Sequence, residues 1–202
     1  MAEISAKDVK ALRDETGAAM MDCKAALEEA GGDLEKAREV LRVKGQASAE
    51  KRSGRATSEG VVASYINAGD KVGVLVEVQC ETDFVARTDD FKAFAREVAL
   101  HIAATAPRYV SVDDVPEEEI EAERKIFAEK AAAEGKPENV VEKIVDGQVK
   151  KWLKDIVLLE QEHVRTDTHE GKTVEELRAE ASAKTGENIR IARFARFVVG
   201  EE

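Results

Sequence analysis

Apolar residues follow two different spacings along the chain, and each spacing predicts a different kind of element. Up to position 45 they recur at helical intervals, whereas residues 61–66 and 72–80 are strand-like around a turn at 67–70. This alternation predicts a β-hairpin whose second strand has one apolar face. The helical intervals predict three short helices with these stripes: Val9 and Leu12; Met21, Ala25 and Leu27; Leu34, Ala37, Val40 and Leu41.

Local signals set the ends of the three N-terminal helices. Ser5 and Asp8 have the spacing of a capping box, Gly31-Gly32 closes the second helix, and Asp33 caps the third. We expect the third helix to end at Gly45. Residues 46–60 have small and basic side chains without large apolar ones, which predicts a linker.

The rest of the chain mixes helices and strands. A helix is predicted to start at Thr88, with Phe91, Phe94, Ala95, Val98 and Ile102 on one face, and a helical hairpin at 116–155. Residues 158–164 are a weak strand candidate, and a capping box at Thr173 and Glu176 starts another helix. A final strand at 188–199 has one face, interrupted by Arg193, made of Ile189, Ile191, Ala195, Phe197 and Val199. These patterns predict an α+β fold with a small antiparallel sheet.

Composition narrows the class of protein. The chain has 202 residues and a formal net charge of −11, which argues against nucleic acid or an anionic membrane as the main partner. A basic nucleic-acid-binding arm within residues 46–55 remains a minor alternative. The N-terminus carries Glu3 and Ser5 and leads straight into a helix start, so we expect no cleavable signal. No apolar run reaches the length of a membrane span. With only two cysteines, we expect reduced thiols and a cytoplasmic location.

The chain carries no pattern of a known catalytic or cofactor site. His101, His163 and His169 have no metal-ligand spacing with Cys23 or Cys80, and phosphate-binding glycine loops and a nucleophile elbow are missing from the sequence. We expect His101 to be a satisfied core or interface residue and Cys80 to point into the core. The prediction is a protein without covalent chemistry, metal or cofactor of its own.

The connector between the second strand and the following helix carries Asp83 and Phe84 side by side. A large ring beside a carboxylate on a connector favours contact with another molecule. An ordinary core aromatic that closes the strand–helix corner is the alternative that the pattern leaves open.

Two motifs resemble the signatures of bacterial translation elongation factor Ts: residues 9–24, VKALRDETGAAMMDCK, and residues 77–87, EVQCETDFVAR. The resemblance implies a guanine-nucleotide exchange factor that binds elongation factor Tu with GDP and promotes GDP release. It implies a ubiquitin-associated-like three-helix domain at 1–45, a linker at 46–60, and an α+β core at 61–202. It also implies that Thr82, Asp83, Phe84 and Val85 enter beside the partner's nucleotide site and dislodge its magnesium ion.

The resemblance implies further contacts and an oligomeric state. Arg13, Met20 and Met21 are the candidate contacts of the N-terminal domain, with Met21 the more probable core residue of the two methionines. Ala19 stands where the first signature commonly has glycine. The chain has room for a single core copy, as in short family members that form homodimers, and the helical hairpin or the sheet edge is the predicted interface. A pure binding module and a small thiol enzyme using Cys80 are the two alternative classes.

Overall fold

The computed structural model describes residues 4–201, without the side chains at positions 138 and 139. Met1–Glu3, the start of the predicted N-terminus, lie outside the described residues. The outer bounds of the predicted domains, positions 1 and 202, also lie outside them. The elements follow in this order: α1 Ala6–Thr16, α2 Met20–Glu29, α3 Leu34–Arg52, β1 Glu59–Ile66, β2 Val72–Cys80, α4 Asp83–Ala86, α5 Asp89–Thr105, α6 Glu117–Ala133, α7 Glu138–Ile156, α8 Thr166–His169, α9 Val174–Thr185 and β3 Arg190–Val198. This order confirms an α+β fold.

The N-terminal helices start and stop where the sequence predicts. The Ser5 and Asp8 side chains form the reciprocal capping box of α1, which ends at Gly17 in the left-handed conformation. The Asp33 carboxylate accepts hydrogen bonds from the first free amides of α3. One cluster of buried side chains joins the three helices: Val9, Leu12, Cys23, Ala26, Leu27 and Ala37.

Two predictions for this region are wrong. The buried stripe of α2 runs through Cys23, Ala26 and Leu27, so Met21 is exposed and is not a core residue. Helix α3 continues past Gly45 to Arg52, so the first part of the predicted linker is helical. Residues 46–52 are mostly good helix formers, and Ala49 is buried, so helix propensity and one apolar contact extend the helix.

The three strands form one sheet in the order β1-β2-β3. Strand β2 buries the predicted face, at Val74, Val76, Val78 and Cys80. The amide of Asn67 donates to the carbonyl of Val72, and that of Val199 donates to the carbonyl of Lys71. These antiparallel registers place Ile66 and Phe197 on either side of Gly73, on the face opposite the buried one.

Two predictions for the C-terminal region are also wrong. Residues 158–164 form a 3-10 turn at Leu158–Glu160 and an isolated bridge instead of a strand. In β3, Ile191 is buried, but Phe197 and Val199 on the predicted apolar face are exposed. That face is covered only at its start, and alternation alone does not reveal what covers a strand.

Contacts between residues divide the chain into two compact units. The first contains the described part of Met1–Ala63 together with Glu77–Ala95 and Glu176–Ile191. Helix α9 is packed against α3 in this unit: the Arg42 guanidinium lies 2.7 Å from the Glu176 carboxylate, and Gly45 faces the methyl of Ala183. The three N-terminal helices therefore fold together with α4 and α9.

The second unit contains Ser64–Val76, Arg96–Glu175 and the described part of Ala192–Glu202. Its largest feature is the helical hairpin of α6 and α7, with the predicted break at Gly135 and Pro137 confirmed. Among the described residues, no helix has the length and apolar character that crossing a membrane requires.

Candidate functional site

The candidate site lies where β2 ends and α4 begins. After Cys80 the chain takes an extended step at Thr82, whose hydroxyl accepts a hydrogen bond from the amide of Val85 at 3.4 Å. This N-cap starts a single helical turn over Asp83–Ala86, within the segment that the sequence pattern predicts as a connector. Thr88 then caps α5 as predicted, because its hydroxyl accepts from the amide of Phe91.

Phe84 projects from this turn into solvent, with 79% of its surface exposed. Ala86 on the same turn is buried, and Asp83 and Val85 are partly buried. The ring therefore does not close the strand–helix corner, which excludes the core alternative. A phenyl ring in this position leaves a large apolar area for a partner to cover.

Asp83 already has a partner on its own turn. Its carboxylate lies 2.8 Å from the Arg87 guanidinium; the Arg87 side chain is largely exposed and the Asp83 side chain is partly exposed. An exposed pair of this kind contributes little to stability, so a binding partner can replace Arg87 at low cost.

Two acidic side chains hold the β2–α4 junction against the loop between α9 and β3. The Glu187 carboxylate accepts from the amides of Glu81 and Thr82, both at 3.0 Å, and from the Thr82 hydroxyl at 2.6 Å. The Glu81 carboxylate accepts in return from the amide of Asn188 at 2.6 Å and from Arg55 at 3.2 Å. These two bonds, that of Asn188 first, hold the pKa of Glu81 below its ordinary value.

Sequence reasoning missed this pair of contacts. Glu187 and Asn188 follow α9 by two and three positions and lie more than a hundred residues from Thr82. The sequence offered a single indication, the two polar residues that lie between Gly186 and the first apolar residue of the predicted strand. That pattern is typical of any turn and does not indicate a distant acceptor.

The N-terminal candidates lie in the same compact unit as α4. Met20 and Met21 are the first two residues of α2, with 47% and 72% of their surfaces exposed, and Arg13 is exposed on α1. Their accessibility suits a contact surface.

Helix α9 links this N-terminal region to the helix after α4. The Lys184 ammonium lies 2.7 Å from the Asp90 carboxylate at the start of α5. The stem of Lys184 passes so close to Gly17 that a methyl group there would lie 2.9 Å from its Cε atom. One side chain of α9 therefore lies between the α1–α2 turn and the start of α5.

Neither cysteine is placed for nucleophilic chemistry. Cys23 and Cys80 are buried and reduced. Burial raises the pKa of Cys80 to about 11, and its thiol donates to the carbonyl of Thr82 at 3.2 Å. The Cys80 thiol therefore helps to fix the β2–α4 junction. It is not accessible as the nucleophile that the thiol-enzyme alternative requires.

Glu97, His163 and His169 are the described residues that come nearest to a metal site, with ligand atoms within 4.8 Å of one another. The Nδ1 atom of His163 accepts from the amide of Arg165 at 3.2 Å, so Nε2 carries the proton and donates to the Glu97 carbonyl at 3.1 Å. A metal at Nε2 would move that proton to Nδ1, against the amide of Arg165. The residues do not fit a metal ion, and the cluster is a structural hydrogen-bond network.

Comparisons with known proteins agree with both signatures. A family profile described as Elongation factor TS matches residues 3–201. The elongation factor Ts of Coprothermobacter proteolyticus is 57% identical over 199 residues, covering 98% of this chain and 100% of the relative. That of Carboxydothermus hydrogenoformans is 56% identical, covering 98% of this chain and 90% of the relative, and that of Desulfosudis oleivorans is 55% identical over the full length of both. The chain belongs to the elongation factor Ts family of translation factors.

Proposed function

We propose that this protein is the guanine-nucleotide exchange factor of elongation factor Tu. It binds the complex of that GTPase with GDP and promotes GDP release, so that GTP can enter. Family membership supports the activity and the partner. The single structural observation that supports the site is Phe84, an exposed ring on a helical turn whose backbone is fixed by hydrogen bonds.

The proposed mechanism requires no covalent step. In a GTPase, a magnesium ion bridges and neutralises the nucleotide phosphates. A segment that binds better to the arrangement without the ion weakens nucleotide binding by the same coupling free energy. We assign Thr82–Val85 to this segment: Phe84 enters an apolar crevice beside the nucleotide site, and Asp83 exchanges Arg87 for polar groups of the partner.

The three N-terminal helices provide a second contact in this proposal. Met20 and Met21 offer flexible apolar side chains, and Arg13 adds a cation. We assign these helices to a ubiquitin-associated-like domain that docks on the GTPase, while the 82–85 segment acts on the metal site. Activity in the cytoplasm follows from the partner and agrees with two reduced, buried thiols.

We further propose that two copies pair through the open face of the sheet. Four large apolar side chains are exposed on this face: Ile66, Leu75, Phe197 and Val199. Gly73 leaves a notch between Ile66 and Phe197. A two-fold axis lets the same patch serve both copies, and the notch accepts a side chain of the second copy. This replaces the predicted hairpin or sheet-edge interface with the sheet face.

The test of the activity is stopped-flow release of fluorescent GDP from elongation factor Tu. Phe84→Ala is expected to lower the maximal release rate by about tenfold or more, because the ring supplies the differential binding. Ile126→Ala removes a similarly exposed apolar side chain on α6 and is expected to match the wild type. Equal maximal rates for Phe84→Ala and the wild type would refute the role of the segment.

A pure binding module predicts a different result in the same assay. Complex formation would then occur with GDP release unchanged at every concentration of the factor. Size measurement of the mixture, run beside the release assay, separates this outcome from a failure to bind.

A further inference from the structure

We infer that Glu187 is a positioning residue for nucleotide exchange, holding the 82–85 segment in the conformation that engages the partner. This inference rests on the exchange activity proposed above. Glu187, the hydrogen-bond acceptor, lies after α9 and outside both signature motifs. Its carboxylate makes the three hydrogen bonds to Glu81 and Thr82 described for the β2–α4 junction.

The acceptor is itself held in place. Helix α9 ends at Gly186 in the left-handed conformation, which aims the next residue back towards the helix. The fully buried Ser182 hydroxyl donates to the carbonyl of Glu187 at 2.6 Å, and Arg178 donates to the carbonyl of Ile189 at 2.8 Å. The backbone at residues 187–189, which carries the Glu187 side chain, is therefore bonded to α9 at two points.

Three donors on one carboxylate fix the start of the 82–85 segment. The amides of Glu81 and Thr82 bond to one oxygen, and the Thr82 hydroxyl bonds to the other. The same hydroxyl accepts from the amide of Val85, so orienting it also caps α4. Hydrogen bonds to a charged acceptor are stronger than neutral ones, so the carboxylate charge matters as well as its shape.

This fixation matters because Phe84 makes no comparable contact of its own. With most of its ring in solvent, only the backbone of the turn determines where the ring points. A four-residue helix is too short to persist without tertiary support. Holding the turn in advance removes an ordering cost that binding would otherwise bear.

The experiment compares Glu187→Gln, Glu187→Asp and the wild type in the GDP release assay, over a range of factor concentrations. Glutamine keeps one acceptor oxygen but turns its amide NH2, a donor, towards the donors of the segment. Aspartate keeps the charge on a shorter side chain. We expect Glu187→Gln to lower the maximal release rate by about tenfold, with the half-saturating concentration unchanged within about twofold. Aspartate is expected to recover part of the rate.

Two further measurements separate positioning from general destabilisation. Hydrogen exchange of a peptide covering residues 81–88 is expected to accelerate in Glu187→Gln, while peptides from α1–α3 keep their protection. Glu50→Gln makes the same chemical change at an exposed position of α3 and is expected to leave rate and exchange unaltered.

Each outcome bears on one proposal. Faster hydrogen exchange at 81–88 with an unchanged maximal release rate would overturn the role of Glu187 and leave the exchange function intact. Unchanged release in both Glu187→Gln and Phe84→Ala would instead refute the assignment of the 82–85 segment. A higher half-saturating concentration with a normal maximal rate would show that Glu187 supports docking alone, which also overturns the inference.

Discussion

His101 is a buried histidine whose two ring nitrogens are both occupied. Nε2 donates to the side-chain oxygen of Gln161 at 2.9 Å, and Nδ1 accepts from the amide of Val164 at 3.1 Å. The ring stacks on His163, with centroids 5.1 Å apart. Burial, the largest cause, lowers the pKa of His101 to about 4, so the folded protein keeps it neutral. The sequence prediction of a satisfied core histidine is confirmed.

This histidine makes folding stability sensitive to acid. Above about pH 6.5 this histidine is neutral in both the folded and the unfolded protein. Below that pH the unfolded chain binds a proton that the folded protein does not bind. The free energy of unfolding is expected to decrease as the pH is lowered from about 6.5 to about 4. This residue contributes up to about 1.4 kcal/mol per pH unit to that decrease. Thermal unfolding from pH 7.5 to 4.5 measures it, and His101→Gln is expected to flatten the slope. Parallel curves for the two proteins would contradict the assignment.

At the scale of elements, Gly45 tests the extension of α3. In a helix that runs to Arg52, Gly45 is an interior residue with room for a methyl group, which would touch Ala183 at an ordinary 3.5 Å. Gly45→Ala is therefore expected to stabilise the protein by about 0.5–1 kcal/mol in urea unfolding. If the helix ended at Gly45, as the sequence suggested, the same substitution would destabilise it.

Gly17 is the matched control for that substitution. It has a positive φ of 68° at the end of α1, and an added methyl would meet the stem of Lys184 at 2.9 Å. Gly17→Ala is expected to destabilise the protein by about 1 kcal/mol or more. Opposite signs for the two glycines would confirm the helix boundaries at both positions.

The sequence predicted most elements because their signals are local. The capping box at Ser5 and the alternation of β2 depend on residues a few positions apart, and both are confirmed. It failed where the answer depends on what covers a surface: Met21 in α2 and Phe197 in β3 fit an apolar pattern but lie in solvent. Glu187 was missed for the same reason, because its partners are distant in the chain.

At the scale of the whole molecule, the exposed apolar face of the sheet predicts self-association. Strands β1, β2 and β3 each contribute to it, and Phe197 retains 68% of its surface in the single chain. A patch of large apolar side chains on a charged protein marks an interaction surface. Pairing of two copies, as proposed above, would give the assembly two symmetry-related copies of the 82–85 segment.

Sedimentation velocity tests this pairing. The wild type is expected to sediment as a dimer and Phe197→Glu as a monomer. The association constant is expected to fall by at least about tenfold, because two carboxylates would be buried near the two-fold axis. Ile126→Glu adds the same charge on α6 and is expected to remain dimeric. A monomeric wild type at micromolar concentration would refute the sheet face as an interface.

The contacts of α9 have a consequence for how the protein is made. Arg42, Gly17 and Thr82 are bonded to or packed against side chains from 176–187. At about 5–20 residues per second, a ribosome needs several seconds to add that segment after it has passed Ala86. Until Glu187 has been added, the turn that carries Phe84 has no acceptor for the amides that fix it. If Glu187 positions the 82–85 segment as proposed, the segment becomes competent only after the ribosome has added residues 176–187.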